Sequence, residues 1–345
     1  MKIINCLFTT ALGGMEQSFL DYNQIFTSLG HDVISLLHKN TKILPNVSGR
    51  YCLNNNRSKY DVFALCRLKL FLRREKPDLI VTHGNRAHYL LNKIKGDIPS
   101  IGVCHGSIGY ITRSHKIITV SQSLREEIVR LYPHFSDRID HIPNIVSLTP
   151  REIKQVPDFK QRVPVIGFMG RLDPEKGAMI LVEALRLLKA DGAGFKALIA
   201  GDGGQRPQVE TQLNLYGLQS DVHLLGWVQD KISFYDKIDI LCVPSLSESF
   251  GIVILEGLCR SIPVIVTDLP GPREIISDRQ NGLVVPVNNP LKTAEAIKLL
   301  IEDSSLYMDV ARSGYKSSMA YSFEAIQQKV KRFIEEKSPG FYTGA

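Results

Sequence analysis

Asp239-Ile240-Leu241-Cys242-Val243-Pro244-Ser245-Leu246-Ser247-Glu248-Ser249-Phe250-Gly251-Ile252-Val253-Ile254-Leu255-Glu256-Gly257 reads as three pieces in succession. The apolar run at 239–243 reads as a buried strand. A Ser/Glu loop follows it, and the loop opens an apolar segment with Glu256 at its far end. The spacing predicts a helix from near Phe250, whose first backbone N–H groups lack intrahelical partners and favour an anion in front of them. Glu248 then stands at the mouth of that helix. Glu256 lies about two turns deeper, at about 1.5 Å of rise per residue. One carboxylate at the mouth and one along the flank suit an elongated ligand with a phosphate in its middle.

The same alternation of short apolar runs and amphipathic stretches extends in both directions, which signals parallel sheets with crossover helices. Strands are expected at 3–8, 32–37, 79–82, 101–104 and 116–120, with helices at 15–29, 59–75, 86–95 and 121–131. His141-Ile142-Pro143-Asn144 reads as a strand running into a turn. The polar stretch 147–162, with two prolines, reads as a linker. A second set follows: strands at 163–169, 195–200, 221–224, 239–243 and 263–266, helices at 176–190, 206–215, 231–236, 250–260 and 290–301. Amphipathic stretches at 304–317 and 322–336 close the chain. The layout is α/β: two doubly wound Rossmann-like domains facing a cleft, with ligands at the carboxyl ends of the strands.

Composition narrows the function. A chain of 345 residues is long enough for two domains with proper cores. It has no apolar run of membrane-spanning length, and its first apolar run is too short for a signal peptide, so a cytoplasmic protein is expected. The six cysteines show no Cys-x-x-Cys pairing, which argues for buried free thiols in a reducing compartment and against a zinc site. The net charge of +7 is uneven: residues 1–150 hold 19 Lys/Arg against 11 Asp/Glu, the remainder 23 against 24. The basicity concentrates at 59–76, an amphipathic helix whose charged side is either a solvated face or a contact for an anionic membrane. No stacking aromatics accompany the charge, so nucleic acid is not an expected partner.

Other candidate sites sit where strands end. Gly201-Asp202-Gly203-Gly204-Gln205-Arg206 lacks the third glycine of a dinucleotide fingerprint, and no Gly-Lys-Ser/Thr supports a P-loop ATPase. Gly170-Arg171-Leu172-Asp173-Pro174-Glu175-Lys176-Gly177 places two cations at a strand end and a helix start, where Arg can grip phosphate oxygens in a fork and Lys act as a point charge. Gly13-Gly14-Met15-Glu16 opens a helix after the first strand, and paired glycines let backbone approach a ligand. His83 and His105 follow adjacent strands, and His105 is the better candidate because Gly106 frees space beside it. No Ser-His-Asp constellation supports serine hydrolysis.

Together these pieces resemble the GT-B glycosyltransferases of family 4, the retaining group that uses sugar nucleotides, in a form like those that build lipopolysaccharide cores. Gly13-Gly14-Met15-Glu16, His105, Val120-Ser121, Ile142-Pro143-Asn144, Gly170-Arg171-Leu172, Glu175-Lys176-Gly177, Ala200-Gly201-Asp202-Gly203, Leu225-Gly226, Pro244-Ser245, Glu248 through Glu256 and Asn281-Gly282-Leu283-Val284 carry the likeness. It covers nearly the whole chain. The paired glutamates around Ser249-Phe250-Gly251 are specific, whereas the glycine pieces alone are not.

The resemblance implies roles. Glu248 would touch donor-sugar hydroxyls and Glu256 the ribose hydroxyls. Arg171 and Lys176 would hold the diphosphate, and the backbone of Phe250, Gly251 and Ile252 would line the donor. Gly14 would let its loop approach donor and acceptor. His105 would lie beside the reacting sugar, which makes His105 and Glu248 the catalytic candidates. No metal and no cofactor are implied; the sugar nucleotide is a substrate. Residues 1–150 would be the acceptor-side domain, 151–320 the sugar-nucleotide domain, and 321–345 a helix crossing back to the first. The segment between His105 and Val120 is shorter than is common in the family, and Met15 stands where Ala is frequent, so the acceptor side is expected to differ.

The expected function is a metal-independent hexosyltransferase acting on a lipid-linked or lipopolysaccharide-core saccharide, peripheral to the inner face of the cytoplasmic membrane. A sugar-nucleotide epimerase of the same fold and a non-catalytic sugar-nucleotide-binding protein stay open as alternatives. Paired carboxylates also serve glycoside hydrolases, but those need them facing across a sugar, which helical spacing does not provide.

Overall fold

The apolar runs form parallel strands and the amphipathic stretches cross between them as helices, in a computed structural model that describes residues 1–56, 58, 60–106, 109–153 and 155–336. The chain divides into two compact units. One is Met1–Ile145 with the stretch that begins at Phe323; the other is Val146–Ser322.

In the first unit the described strands are β1 (Lys2–Leu7), β2 (Asp32–His38), β3 (Arg50–Asn54), β4 (Leu79–His83), β5 (Ser100–Cys104), β6 (Lys116–Thr119) and β7 (Ile139–His141). The crossovers include α1 (Gly14–Ser28), α2 (Val62–Glu75), α3 (Gly84–Ile94) and α4 (Gln122–Leu131). The sheet order is β3-β2-β1-β4-β5-β6-β7. The winding therefore reverses between β1 and β4, whose carboxyl ends meet where Leu7 pairs with His83. Reversal points open a crevice, because the loops leaving the two strands diverge. Strands β1, β4 and β5 are buried on both faces, with the polar Asn5, Thr82, His83 and Ser100 buried among their apolar residues. Ile4, Leu36, Leu68 and Leu91 pack one side of the sheet, and Leu7, Phe19 and Leu37 form a second cluster.

In the second unit the described strands are β8 (Val165–Met169), β9 (Lys196–Ala200), β10 (Val222–Gly226), β11 (Ile240–Val243), β12 (Val264–Thr267) and β13 (Leu283–Val285). Its helices are α5 (Ala178–Ala190), α6 (Arg206–Leu215), α7 (Lys231–Tyr235), α8 (Ile252–Cys259), α9 (Pro270–Ile275), α10 (Pro290–Glu302) and α11 (Ser304–Ser318). The order β10-β9-β8-β11-β12-β13 reverses between β8 and β11. The core centres on Ile166, Phe168, Leu181, Leu185, Ile199 and Ile240, each contributing roughly 1.5–3 kcal/mol by burial. The last helix, α12 (Phe323–Glu336), belongs to the first unit, where Gln327 Nε2 donates to Ser28 Oγ of α1 at 2.7 Å.

The structure departs from the sequence expectations at identifiable places. Strand β3 was not expected, because as an edge strand it is largely exposed and shows no apolar run. Helix α9 hides behind Pro270-Gly271-Pro272, which reads as a turn, and β13 is only three residues long. The basic helix starts at Val62, after the side chain of Asp61 caps Ala64 N; Lys59 of the expected segment lies outside the described residues. Residues 337–345 of the expected closing segment do so too. No disulfide joins the cysteines, and Cys66 is exposed rather than buried. Among the described residues no helix is long and apolar enough to cross a membrane.

Candidate active site

In the second unit the loops that leave the carboxyl ends of β8, β9 and β11 pack onto one another at the reversal point. Gly201 (φ 133°) lies so close to the Gly170 carbonyl that any Cβ would overlap it, and Gly177 (φ 71°) stands in the same relation to the Pro244 carbonyl. Only glycine combines that backbone with that proximity. Backbone hydrogen bonds stitch the loops: Gly170 N to Ala200 O at 3.0 Å, Leu172 N to Asp202 O at 3.0 Å, and Leu246 N to Glu175 O at 2.7 Å.

These loops bring together most of the residues expected to hold a donor. Lys176 Nζ lies 2.7 Å from Glu248 Oε2, so the cation and the carboxylate expected to have separate duties form an ion pair. Arg171 is half exposed and its guanidinium turns to Asp173 at 3.2 Å. The helix expected from near Phe250 begins instead at Ile252, because Gly251 takes a left-handed φ of 96° and cannot belong to a right-handed helix. Glu248 therefore stands in the loop, and Glu256 in the second turn of α8. No side chain caps α8, and of its first N–H groups Ile254 N donates to the Gly251 carbonyl at 2.9 Å. Phe250 is buried, its ring 6.0 Å from that of Tyr321.

Glu256 is 3% exposed and both its oxygens are engaged. Oε1 meets Lys231 Nζ at 2.5 Å and Oε2 accepts from the Tyr235 hydroxyl at 2.8 Å. Burial, then the neighbouring carboxylate, push the Tyr235 phenol well above its ordinary range, so it stays a donor. Neither Lys231 nor Tyr235 was singled out in the sequence. The signal was their four-residue spacing, which puts both on one face of α7.

In the first unit Gly14 is the first residue of α1, directly after β1, and buried Glu16 accepts from the Thr9 hydroxyl to close the loop between them. His83 ends β4 and His105 follows β5, so the two side chains meet, Nδ1 of His83 lying 3.1 Å from Nε2 of His105. Desolvation pushes the His105 imidazole down to about 4, and His83, fully buried, lies well below the usual histidine range for the same reason. Nearby His88, anchored to Thr82 Oγ1 at 2.7 Å, is pushed by burial to about 3. Within the first unit, then, Gly14 follows the carboxyl end of β1 and His105 that of β5, with β4 lying between the two strands; the remaining expected site residues belong to the second.

Comparison with known proteins identifies the family. The profile described as Glycosyltransferase Family 4 matches residues 12–149, and that described as Glycosyl transferases group 1 matches residues 150–317. An uncharacterised glycosyltransferase of Methanocaldococcus jannaschii is 32% identical over 281 residues, 80% of this chain and 72% of that protein. The lipopolysaccharide core biosynthesis glycosyltransferase LpsE of Rhizobium meliloti is 26% identical over 282 residues, 79% of each chain. Among solved structures, Anabaena HepE in complex with UDP-glucose has a TM-score of 0.86 at 18% identity, covering 97% of this chain and 100% of that one. The chain belongs to the family 4 glycosyltransferases and has their GT-B fold.

Proposed function

We propose that the protein moves a hexose-type sugar, with retention of configuration, from a nucleotide-diphosphate donor to a lipid-linked or lipopolysaccharide-core saccharide. The observation that carries this reading is the pair of lysine–glutamate contacts beside the uncapped start of α8, Lys176–Glu248 and Lys231–Glu256. A helix terminus and two cations suit a diphosphate, and carboxylates beside them suit the hydroxyls of a sugar and a ribose. The solved structures of HepE with UDP and with UDP-glucose support a sugar nucleotide as donor. LpsE, named for lipopolysaccharide core biosynthesis, and the outer core galactosyltransferase WaaB (TM-score 0.77 at 17% identity, covering 98% of this chain and 100% of that one) support the acceptor class.

Glu256 receives the ribose hydroxyls on the lone pairs that Lys231 and Tyr235 leave open. Glu248 receives hydroxyls of the transferred sugar, and Lys176, its partner, reaches the phosphate beside it. As the bond from the anomeric carbon to the diphosphate breaks, Arg171, Lys176 and the α8 terminus meet the growing negative charge without recourse to a metal. The acceptor oxygen bonds to the same face of that carbon, and its proton passes to the leaving phosphate. By the family resemblance, His105 and the Gly14 loop are the first unit's candidates for contact with the sugar.

The outer face of α2 fits a peripheral role. Val62, Phe63 and Leu70 are exposed, Phe63 to 81%, among exposed Arg67, Lys69 and Arg73. Apolar groups interleaved with cations suit an anionic membrane surface, where each cation adds about 1 kcal/mol. That contact would hold the enzyme where lipid-linked acceptors lie, at the inner face of the cytoplasmic membrane. Incubation with labelled UDP-, GDP- and ADP-sugars and a lipid-linked or core-saccharide acceptor tests the reading. A glycoside with the donor's anomeric configuration is expected; a rearranged sugar nucleotide formed without acceptor would overturn it.

A further inference from the structure

His83 is fully buried, yet it carries two nitrogens that need partners. Its Nδ1 faces His105 Nε2 at 3.1 Å, with the two ring planes within 25° of each other. Its Nε2 is buried and has no hydrogen-bond partner among the described residues. Phe19 and Tyr22 of α1 close over the ring edge-on, with centroids 5.7 and 5.4 Å away. Other titratable groups beside the pair include Cys104, directly before His105, His88 on α3 and, on α1, Tyr22 with Asp21 next to it.

Two neutral imidazoles can share the contact in two ways. In the first, His83 keeps its proton on Nδ1 and donates to His105 Nε2, so the orphaned Nε2 of His83 is a bare lone pair. In the second, His105 donates and His83 must bury an unpaired N–H. Orphaned N–H groups are the costlier and rarer of the two. The first arrangement also settles His105: with Nε2 accepting, its own proton sits on Nδ1.

We infer that His83 is a positioning residue that locks His105 as the Nδ1–H tautomer, so that His105 offers the transferred sugar a hydrogen-bond donor and does not act as a base. This rests on the reading that His105 borders that sugar. It assigns the acceptor's proton to the leaving phosphate alone and leaves His105 to orient an oxygen of the donor.

Long-range ¹H–¹⁵N spectra of the full-length chain with labelled histidine, at neutral pH and without ligand, report each tautomer directly. Nδ1–H is expected on both His83 and His105; Nε2–H on His105 would overturn the inference. His83→Phe keeps a ring but removes the donor, and His83→Asn returns an amide N–H near the Nδ1 position. In His83→Phe the His105 tautomer should change and kcat fall about 100-fold, with the donor KM within about twofold of wild type. His83→Asn should recover the tautomer and most of kcat. An unchanged tautomer and kcat in His83→Phe would refute the lock. Should that variant not fold, the wild-type spectrum and His83→Asn decide. The Nδ1–H form in a chain that transfers no sugar would overturn the proposed function while leaving the lock intact.

Discussion

Glu256 shows how much one buried carboxylate asks of its surroundings. A charge held at 3% exposure needs partners, and Lys231 and Tyr235 each donate to one of its two oxygens. Lys231→Ala should therefore lower both nucleotide affinity and stability, the latter by about 1–3 kcal/mol, less than for a fully buried pair because Lys231 reaches solvent. Adding Glu256→Gln should restore part of the stability in a double-mutant cycle, whereas strictly additive losses would show that the two do not interact. Glu248→Ala should abolish transfer while sparing nucleotide affinity more than Glu256→Ala does; equal losses of affinity would contradict the assigned roles. The paired glutamates and the two cations at 171 and 176 were legible because motif and spacing name them. Lys231 was not, since a lysine at a helix start is ordinary until the carboxylate opposite it is known. The Lys176–Glu248 contact was equally hidden, because it joins residues 72 positions apart in the chain.

The elements that matter most are the loops after β8, β9 and β11, which no propensity specifies. They hold their shape because backbones touch at Gly170–Gly201 and Gly177–Pro244. Gly177→Ala should destabilise the second unit by about 1–3 kcal/mol, through overlap and a left-handed backbone together, and should weaken donor binding. Thermal unfolding with and without nucleotide checks this, and a neutral substitution would mean the loops are looser than described. Strands buried on both faces were readable from their apolar runs, and the helices from their periodicity. What escaped were elements whose sequence is ambiguous on its own: edge strand β3, three-residue β13, and α9 behind its prolines. The start of α8 was misjudged by two residues for a related reason. Gly251 takes a left-handed conformation that a sequence permits but does not announce.

The two units differ in charge and in response to acid. The histidine cluster at 83, 88 and 105 lies wholly in the first unit and is held neutral by burial. Above pH about 6.5 these rings are neutral folded or unfolded, and their contribution to stability is fully present. As pH falls from there towards about 4, where His105 protonates, the unfolded chain takes up protons that the folded one refuses. Stability is then lost at up to about 1.4 kcal/mol per pH unit for each histidine. Denaturant unfolding at pH 7 and pH 5 should show the first unit losing more stability than the second, and His83→Phe should reduce that loss. Equal losses in both units would argue against a neutral buried cluster. The cations on α2 give the first unit a separate, salt-dependent property. Vesicles with anionic lipid should recover more protein by flotation than neutral vesicles, and Phe63→Ser with Leu70→Ser should abolish the difference. Equal recovery on both vesicle types would remove the membrane contact.

The central claim is that the second unit holds a nucleoside-diphosphate sugar beside α8. Thermal-shift titration of the full-length chain with UDP-, GDP- and ADP-sugars, repeated on Glu256→Ala, tests it most directly. One base should raise the melting temperature in proportion to the logarithm of its concentration, worth about 2.7 kcal/mol at a hundredfold excess over Kd, and the variant should lose most of that gain. No stabilisation by any of the three, or the same stabilisation of Glu256→Ala, would contradict it.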